Sequence, residues 1–362
     1  MSHLSQFIQE TIATIRPVSR DFQARAHVAL NQLTKPVGSL GRLEELAAQY
    51  VAITQEFPSE MPKPVVLTLA ADHGVAREGV SAYPSSVTAQ MVMNFLNGGA
   101  AVNVLAKQVG AQVRVVDMGV DSDLTGLSGL LHHKIGLGTN NSVEGPAMSH
   151  DQALQSIEVG IRLARDAYAD GLRVLGIGEM GIGNTTSSSG IVAVMTGQSV
   201  AKVTGKGTGV DADRFAKKVQ MIERGLKRNQ PDAKDPVDVL AKVGGFEIGG
   251  LVGLILGGAA CRIPVVLDGF ITGAAMILAQ TLVAECSGYV IPSHCSAEPG
   301  HRCVLEHLEL QPLLDLDLRL GEGTGACLGI GLLKAGIGCL RDMATFDRAG
   351  VDRAEAAFTE PV

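Results

Sequence analysis

The chain has 362 residues, enough for one large α/β domain with an accessory piece or for two domains, so burying a core is no obstacle. Its 30 basic and 37 acidic residues give a formal charge of -7, and no basic stripe interleaves with aromatics, which argues against nucleic acid as a partner. Aromatics make up 4% of the chain, Trp is absent and Gly numbers 44, a composition that favours small glycine-built anion sites over aromatic cages.

The N-terminal "MSHLSQFIQETIATIRPVSR" lacks a basic stretch followed by an apolar run, so no secretory signal is expected. Residues 1–45 and 328–362 have helical patterns and no convincing strand, and are expected to form a small helical domain beside a large α/β domain over 46–327. Along that larger stretch, short β-branched runs alternate with helical patterns. This is the signature of a Rossmann-like parallel sheet covered by helices on both faces. Strands are predicted at "PVVLTLA" from Pro64, "QVRVVDM" from Gln112, "LRVLGI" from Leu172, "IPVVLDG" from Ile263, "GYVIPS" from Gly288 and "LDLRL" from Leu316.

The crossover helix before the third strand is the best defined. Ser149 and Gln152 make a capping box, Ala153, Ile157, Ile161, Ala164 and Tyr168 repeat at helical spacing, and Gly171 ends it. The most lipophilic region, Ile248 to Ala284, is interrupted by Arg262 and Asp268, and its uninterrupted pieces fall short of the ~20 residues a membrane span needs. No membrane association is expected. The six cysteines include no C-x-x-C pair and read as reduced thiols, which points to a cytoplasmic protein.

In open parallel sheets ligands bind beyond the carboxyl ends of the strands, so function is expected in the loops that follow them. After the third strand, Gly176, Gly178 and Gly181 fit G-x-G-x-x-G, but Glu179 sits where a pyrophosphate would lie, and the first acid downstream is Asp211, too far for a ribose-binding carboxylate. A loop ending in Asn184, Thr185 and Thr186 still suits a single phosphate or a sugar; a glycine turn that lets helix and strand pack is the competing reading. A second glycine loop, "TGKGTG" from Thr204, precedes a helix with Phe215, Val219, Ile222 and Leu226 on one face. Lys218 lies about 70° from the centre of that face, so it either reaches toward a ligand or snorkels to solvent.

"VVLDGFITG" has the shape of a phosphoribosyl-pyrophosphate loop with one acid, Asp268, in place of two, which disfavours a pyrophosphate donor with its metal. Asp268 then touches a ribose hydroxyl or simply finishes a strand. Asp72, His73, His294, Cys295 and His301 lie in two of the loops, but none has the spacing of a zinc motif. No G-x-S-x-G elbow for a serine hydrolase is present. In "RLGEGTGA", Glu322 stands between two glycines with no cation nearer than Arg319.

Seven segments together resemble one family, the nicotinate-nucleotide:dimethylbenzimidazole phosphoribosyltransferases of cobalamin nucleotide-loop assembly: "LTKPVGSLGRLEELA", "ADHGVAREGVSAYPSSVTAQMV", "GIGEMGIGNTT", "KVGGFEIGGLVG", "PVVLDGFITGAA", "SHCSAEPGH" and "RLGEGTGA". They run in family order from Leu33 to Ala326. The resemblance implies transfer of a 5-phosphoribosyl group from nicotinate mononucleotide to a benzimidazole nitrogen, with Glu322 as general base. It places Glu179, Gly181, Asn184, Lys218 and Ser296 around phosphate and ribose, with Asp268 added as a ribose contact, and Tyr83, Pro84, Met91 and Leu320 around the acceptor base. Tyr83 and Met91 replace smaller or more polar residues of well-known members, so the preferred acceptor stays open.

It further implies a homodimer acting on small molecules, without cofactor or bound metal, and makes "KPVGSLGRLE" an interdomain or interface element. The chemistry agrees, because nicotinate leaves a pyridinium as a neutral ring without help from an acid, whereas the attacking azole needs a base for its proton. Two other readings compete: a metal-dependent hydrolase of a nucleotide or phosphoester using Asp72, His73, His294 and His301, and a catalytically silent protein that binds nucleotide or base.

Overall fold

The computed structural model describes residues 4–205 and 212–352. Most of "TGKGTG" and Asp211 lie outside the described residues. Six strands, β1 (Pro64–Ala71), β2 (Gln112–Gly119), β3 (Leu130–His132), β4 (Val174–Met180), β5 (Val265–Leu267) and β6 (Val290–Pro292), form one sheet in the order β3-β2-β1-β4-β5-β6. All of its pairings are parallel. The sequence pattern does not reveal β3, because three residues are too few to show a period.

The run from Leu316 does not form a strand. Pairing occurs just before it, between β7 (His294–Cys295) and β8 (Leu314–Asp315). Leu316 and Leu320 are largely exposed and Asp317 has a left-handed φ of 53°, so this run has neither a buried face nor an extended backbone to sustain pairing.

The helices in chain order are α1 (Gln6–Thr14), α2 (Arg20–Asn31), α3 (Arg42–Thr54), α4 (Ser86–Leu96), α5 (Ala101–Val109), α6 (His150–Ala169), α7 (Asn184–Thr196), α8 (Val200–Val203), α9 (Ala212–Asn229), α10 (Pro236–Val243), α11 (Phe246–Ala260), α12 (Phe270–Leu282), α13 (Pro299–His307), α14 (Thr324–Asp342) and α15 (Phe346–Ala349). α6 is the expected crossover helix, opened by the Ser149–Gln152 box. The alternation of β1 assigns the two faces: Leu69 meets Gly250 of α11, while Val66 and Thr68 face the opposite way, onto Gly323 and the backbone of Glu322. The lipophilic region becomes α11 and α12, buried along nearly their whole lengths. By length and composition α14 is apolar enough to cross a membrane, and half of its apolar window is buried within the protein.

Contacts divide the chain into two units, one of residues 1–17 and 63–330, the other of 18–62 and 331–362. These limits differ from the expected 1–45, 46–327 and 328–362. In the first unit, α1 buries Ile8 and packs on α6 and α11, and Arg165 donates to Thr11. In the second, α2 packs along α3, and Leu33 bridges to Thr345. There the segment "KPVGSLGRLE" is a turn closed by a buried ion pair, Lys35 Nζ to Glu44 Oε1 at 2.8 Å.

Candidate active site

The strands leave β1 in two directions, through β2 and β3 on one flank and β4, β5 and β6 on the other, so the crevice between β1 and β4 is where a parallel sheet opens to a ligand. Beyond these carboxyl ends lies a cavity of about 480 Å³, within the range of small-molecule sites. Its wall includes Glu179 at the end of β4, Gly181 and Asn184 just after it, Ser296 after β7, and Leu320 and Glu322 before α14. Tyr83 and Met91 complete the expected residues that line it.

Three expected residues are not on the wall. Pro84 follows Tyr83 but is exposed elsewhere. Lys218 is neither snorkelling nor facing the cavity. It is 1% exposed, and its Nζ donates to Thr185 Oγ1 at 2.9 Å and Gly205 O at 3.4 Å. Burial lowers its pKa to about 8, opposed by the charge of Glu298. Thr185 itself lines the cavity, so Lys218 stands one side chain behind it. Asp268 is buried below the wall, with Oδ2 accepting from Gly323 N at 2.9 Å and Oδ1 from Gly325 N at 2.7 Å. Burial pushes its pKa up to about 7, and these N–H groups oppose the rise. Both oxygens thus accept backbone N–H groups, and Asp268 is not among the residues that line the cavity.

The turn bearing Glu322 has an unusual backbone. Gly321, Glu322 and Gly323 all have positive φ, of 86°, 67° and 98°. For Glu322 this is a strained state that persists only when its surroundings impose it. Thr68 Oγ1 donates to Glu322 O at 2.8 Å, and Glu322 N donates to Glu179 O at 3.2 Å. Gly178 allows this approach, since a Cβ there would lie 2.2 Å from Gly323 N and 2.4 Å from Glu322 C. Gly178 of the G-x-G-x-x-G pattern thus serves contact between β4 and the turn bearing Glu322.

The Glu322 carboxyl is 5% exposed, and its Oε2 is buried with no hydrogen-bond partner among the described residues. Burial raises its pKa, and a backbone hydrogen bond at Val102, in the first turn of α5, works against that rise. Glu179 is pushed further, well above the usual carboxylate range, first by burial and then by the charges of Asp268 and Glu247. Asn184 Nδ2 donates to Glu179 Oε2 and partly offsets the shift. Two acids thus share a cavity wall under different constraints, with the pKa of Glu179 raised further than that of Glu322.

The histidine loops do other work. His73 is buried, with Nε2 2.6 Å from Glu247 Oε1 and Nδ1 2.9 Å from Ser187 Oγ, and it does not line the cavity. Asp72 accepts from Asp121 N at 2.8 Å. His294 lines the cavity, but burial lowers its pKa, and its Nδ1 is 3.0 Å from Ser293 Oγ. His301 Nδ1 accepts from Ser296 N at 2.9 Å, and burial takes its pKa down to about 3, so it stays neutral. Among the described residues no three His, Cys, Asp or Glu side chains gather as a metal set. Cys295 is a free, buried thiol.

Thr185, named with Asn184 as suited to a phosphate or sugar, lines the wall, whereas sequence reasoning missed Glu298 and Arg319 there. Each lies inside a segment already singled out, at a position where no spacing rule separates wall from support.

The sequence profile of the DBI_PRT family, described as phosphoribosyltransferase, matches residues 15–351. A protein of Geotalea uraniireducens (strain Rf4) named nicotinate-nucleotide--dimethylbenzimidazole phosphoribosyltransferase is 52% identical over 348 residues, which cover 96% of this chain and 99% of that protein. One of the same name from Roseiflexus sp. (strain RS-1) is 54% identical over 344 residues, covering 95% and 98%. The crystal structure of CobT from Thermus thermophilus superposes with a TM-score of 0.88 at 44% identity, over 92% of this chain and all of that one.

Proposed function

The chain belongs to the DBI_PRT phosphoribosyltransferase family, and from that premise we propose that it transfers the 5-phosphoribosyl group of nicotinate mononucleotide to 5,6-dimethylbenzimidazole or a related base. The products are α-ribazole 5'-phosphate and nicotinate, and the reaction belongs to cobalamin biosynthesis. The single observation behind the mechanism is the Glu322 carboxyl on the cavity wall with Oε2 uncommitted to any hydrogen bond among the described residues.

A nitrogen of the azole attacks the anomeric carbon while the bond from that carbon to the nicotinate ring nitrogen breaks, and the bond's electron pair returns to the ring. The departing pyridine is neutral and takes no proton. The azole, made cationic by attack, gives its N–H proton to the Glu322 carboxylate. A pKa above the ordinary carboxylate value makes Glu322 a better base while it remains ionised.

Burial favours the protonated form of Glu179, and in that form it offers an O–H to a ribose hydroxyl while its other oxygen keeps the bond from Asn184. Lys218 supports the phosphate end through Thr185, and Ser296 lies on the same wall. Tyr83, Met91 and Leu320 bound the acceptor, with Pro84 fixing the chain beside Tyr83. We read the two contact units as the domains of the protein, and the chain as a homodimer, whose mass light scattering measures directly.

The test is incubation of purified, chelator-treated protein with both substrates. Equal amounts of nicotinate and new riboside are expected. Nicotinate without riboside would mean hydrolysis, and no reaction at all would end the transferase reading.

A further inference from the structure

Asp268 and Glu322 are 54 positions apart in sequence, yet the structure joins them through the backbone that follows the base. The turn needs an external hold, because Glu322 is the one residue between two left-handed glycines that pays a steric penalty for its own φ of 67°. Its carbonyl is held from β1 by Thr68 and its N–H from β4 by Glu179 O. On the far side, the two N–H groups at the start of α14, Gly323 and Gly325, both end on the Asp268 carboxylate. Those N–H groups have no acceptor within their own helix, so a carboxylate from the residue after β5 does for α14 what a capping side chain ordinarily does from the residue before a helix.

Resting on the transferase reading above, we propose that Asp268 is a positioning residue for the general base: it clamps the first turn of α14 and thereby holds Glu322 in the left-handed conformation that keeps this residue on the cavity wall. Its carboxylate does not touch ribose. Asp268 is 2% exposed, both oxygens are engaged, and no Asp268 atom lines the cavity. Room for the clamp is guarded as well, since a Cβ on Gly325 would lie 2.7 Å from Asp268 Oδ1 and 2.1 Å from His294 Nδ1. Thr68 completes the hold from the opposite face of the turn.

The experiment combines Asp268→Asn with Glu322→Gln. Asn keeps one acceptor and sets an NH₂ donor against the other N–H, which loosens the turn without emptying the site. Expected is a fall in kcat of about tenfold to hundredfold for Asp268→Asn, with KM for nicotinate mononucleotide within about twofold of the parent. In the Glu322→Gln background the same substitution should subtract nothing more from turnover, because a residue acting only through the base has no effect once the base is gone. Binding of nicotinate mononucleotide to Glu322→Gln protein, measured by calorimetry, should not change when Asp268→Asn is added.

A raised KM with intact kcat, weaker mononucleotide binding, or multiplied losses in the double variant would make Asp268 a substrate contact and overturn the proposal. Should Asp268→Asn fail to fold, Thr68→Val loosens the same turn from the other side with nearly conserved shape, and an unaltered kcat there would also overturn it. Failure of the parent protein to form riboside is a separate result, which would remove the transferase reading and this proposal with it.

Discussion

At the floor of the cavity Glu179, Asn184 and Glu322 are buried and fixed by the neighbouring strands, whereas at its mouth Tyr83 and Leu320 are 54% and 57% exposed. The floor is built from residues whose backbone positions are forced by close approach and hydrogen bonds. The mouth is built from side chains that rest on little. A rigid floor suits a reaction whose charge movements are the same for every acceptor, and a loose mouth suits a step in which the acceptor varies. On the proposed assignment, chemistry and acceptor choice occupy different regions and should respond to mutation separately.

The largest effect is expected at the floor. Glu322→Gln should lower kcat by roughly 10²–10⁴, with mononucleotide binding retained. The parent's kcat should rise with pH as Glu322 ionises, at a pH above the 4.5 of an ordinary glutamate, and the Gln variant should lose that rising limb in a pH–rate series. Gly178→Ala drives a Cβ into the turn behind Glu322, and should lower kcat by about 10²-fold while the protein still binds mononucleotide. Lys218→Ala should weaken nicotinate mononucleotide binding by about tenfold and free benzimidazole much less; equal effects on the two ligands would remove Lys218 from the phosphate end.

At the mouth, Tyr83→Ala and Leu320→Ala should change the ranking of acceptor bases by only a few fold in kcat/KM, roughly the value of one or two apolar contacts, with mononucleotide KM unchanged. A mouth substitution that abolishes turnover with every acceptor would break the comparison.

The smallest effect concerns stability. Glu179 has a folded pKa raised above its unfolded value, so its contribution is most favourable below the unfolded pKa and is lost as pH rises through the folded one. Glu179→Gln keeps the acceptor for Asn184 and removes this loss. Its melting temperature should therefore gain more over the parent at about pH 8 than at about pH 5. An equal or smaller gain at the higher pH would place the proton elsewhere.

Much of this is legible in the sequence. Hydrophobic runs locate β1, β2, β4, β5 and β6 because each is a buried strand bounded by turn residues, and Ser149 with Gln152 marks α6 through local capping. β3 and β7 stay hidden because two or three residues have no period, and the run at Leu316 misleads because its alternation faces solvent. In the site, the resemblance singles out Glu322, which lines the cavity. Where the Asp268 carboxylate and the Lys218 ammonium end up cannot be read in this way, since each bonds a partner distant in sequence, the backbone amides of Gly323 and Gly325 for one and Thr185 for the other. Helical geometry puts Lys218 near an edge without saying that the edge is covered.

The hydrogen bond from Thr68 to Glu322 spans 254 positions of sequence. During synthesis the strand that steadies the reactive turn leaves the ribosome long before the turn exists, and loop closure over that distance is among the slowest contacts a parallel α/β chain must make. Recovery of turnover during refolding should therefore lag behind recovery of helix measured by circular dichroism, which makes catalysis a late reporter of the native state.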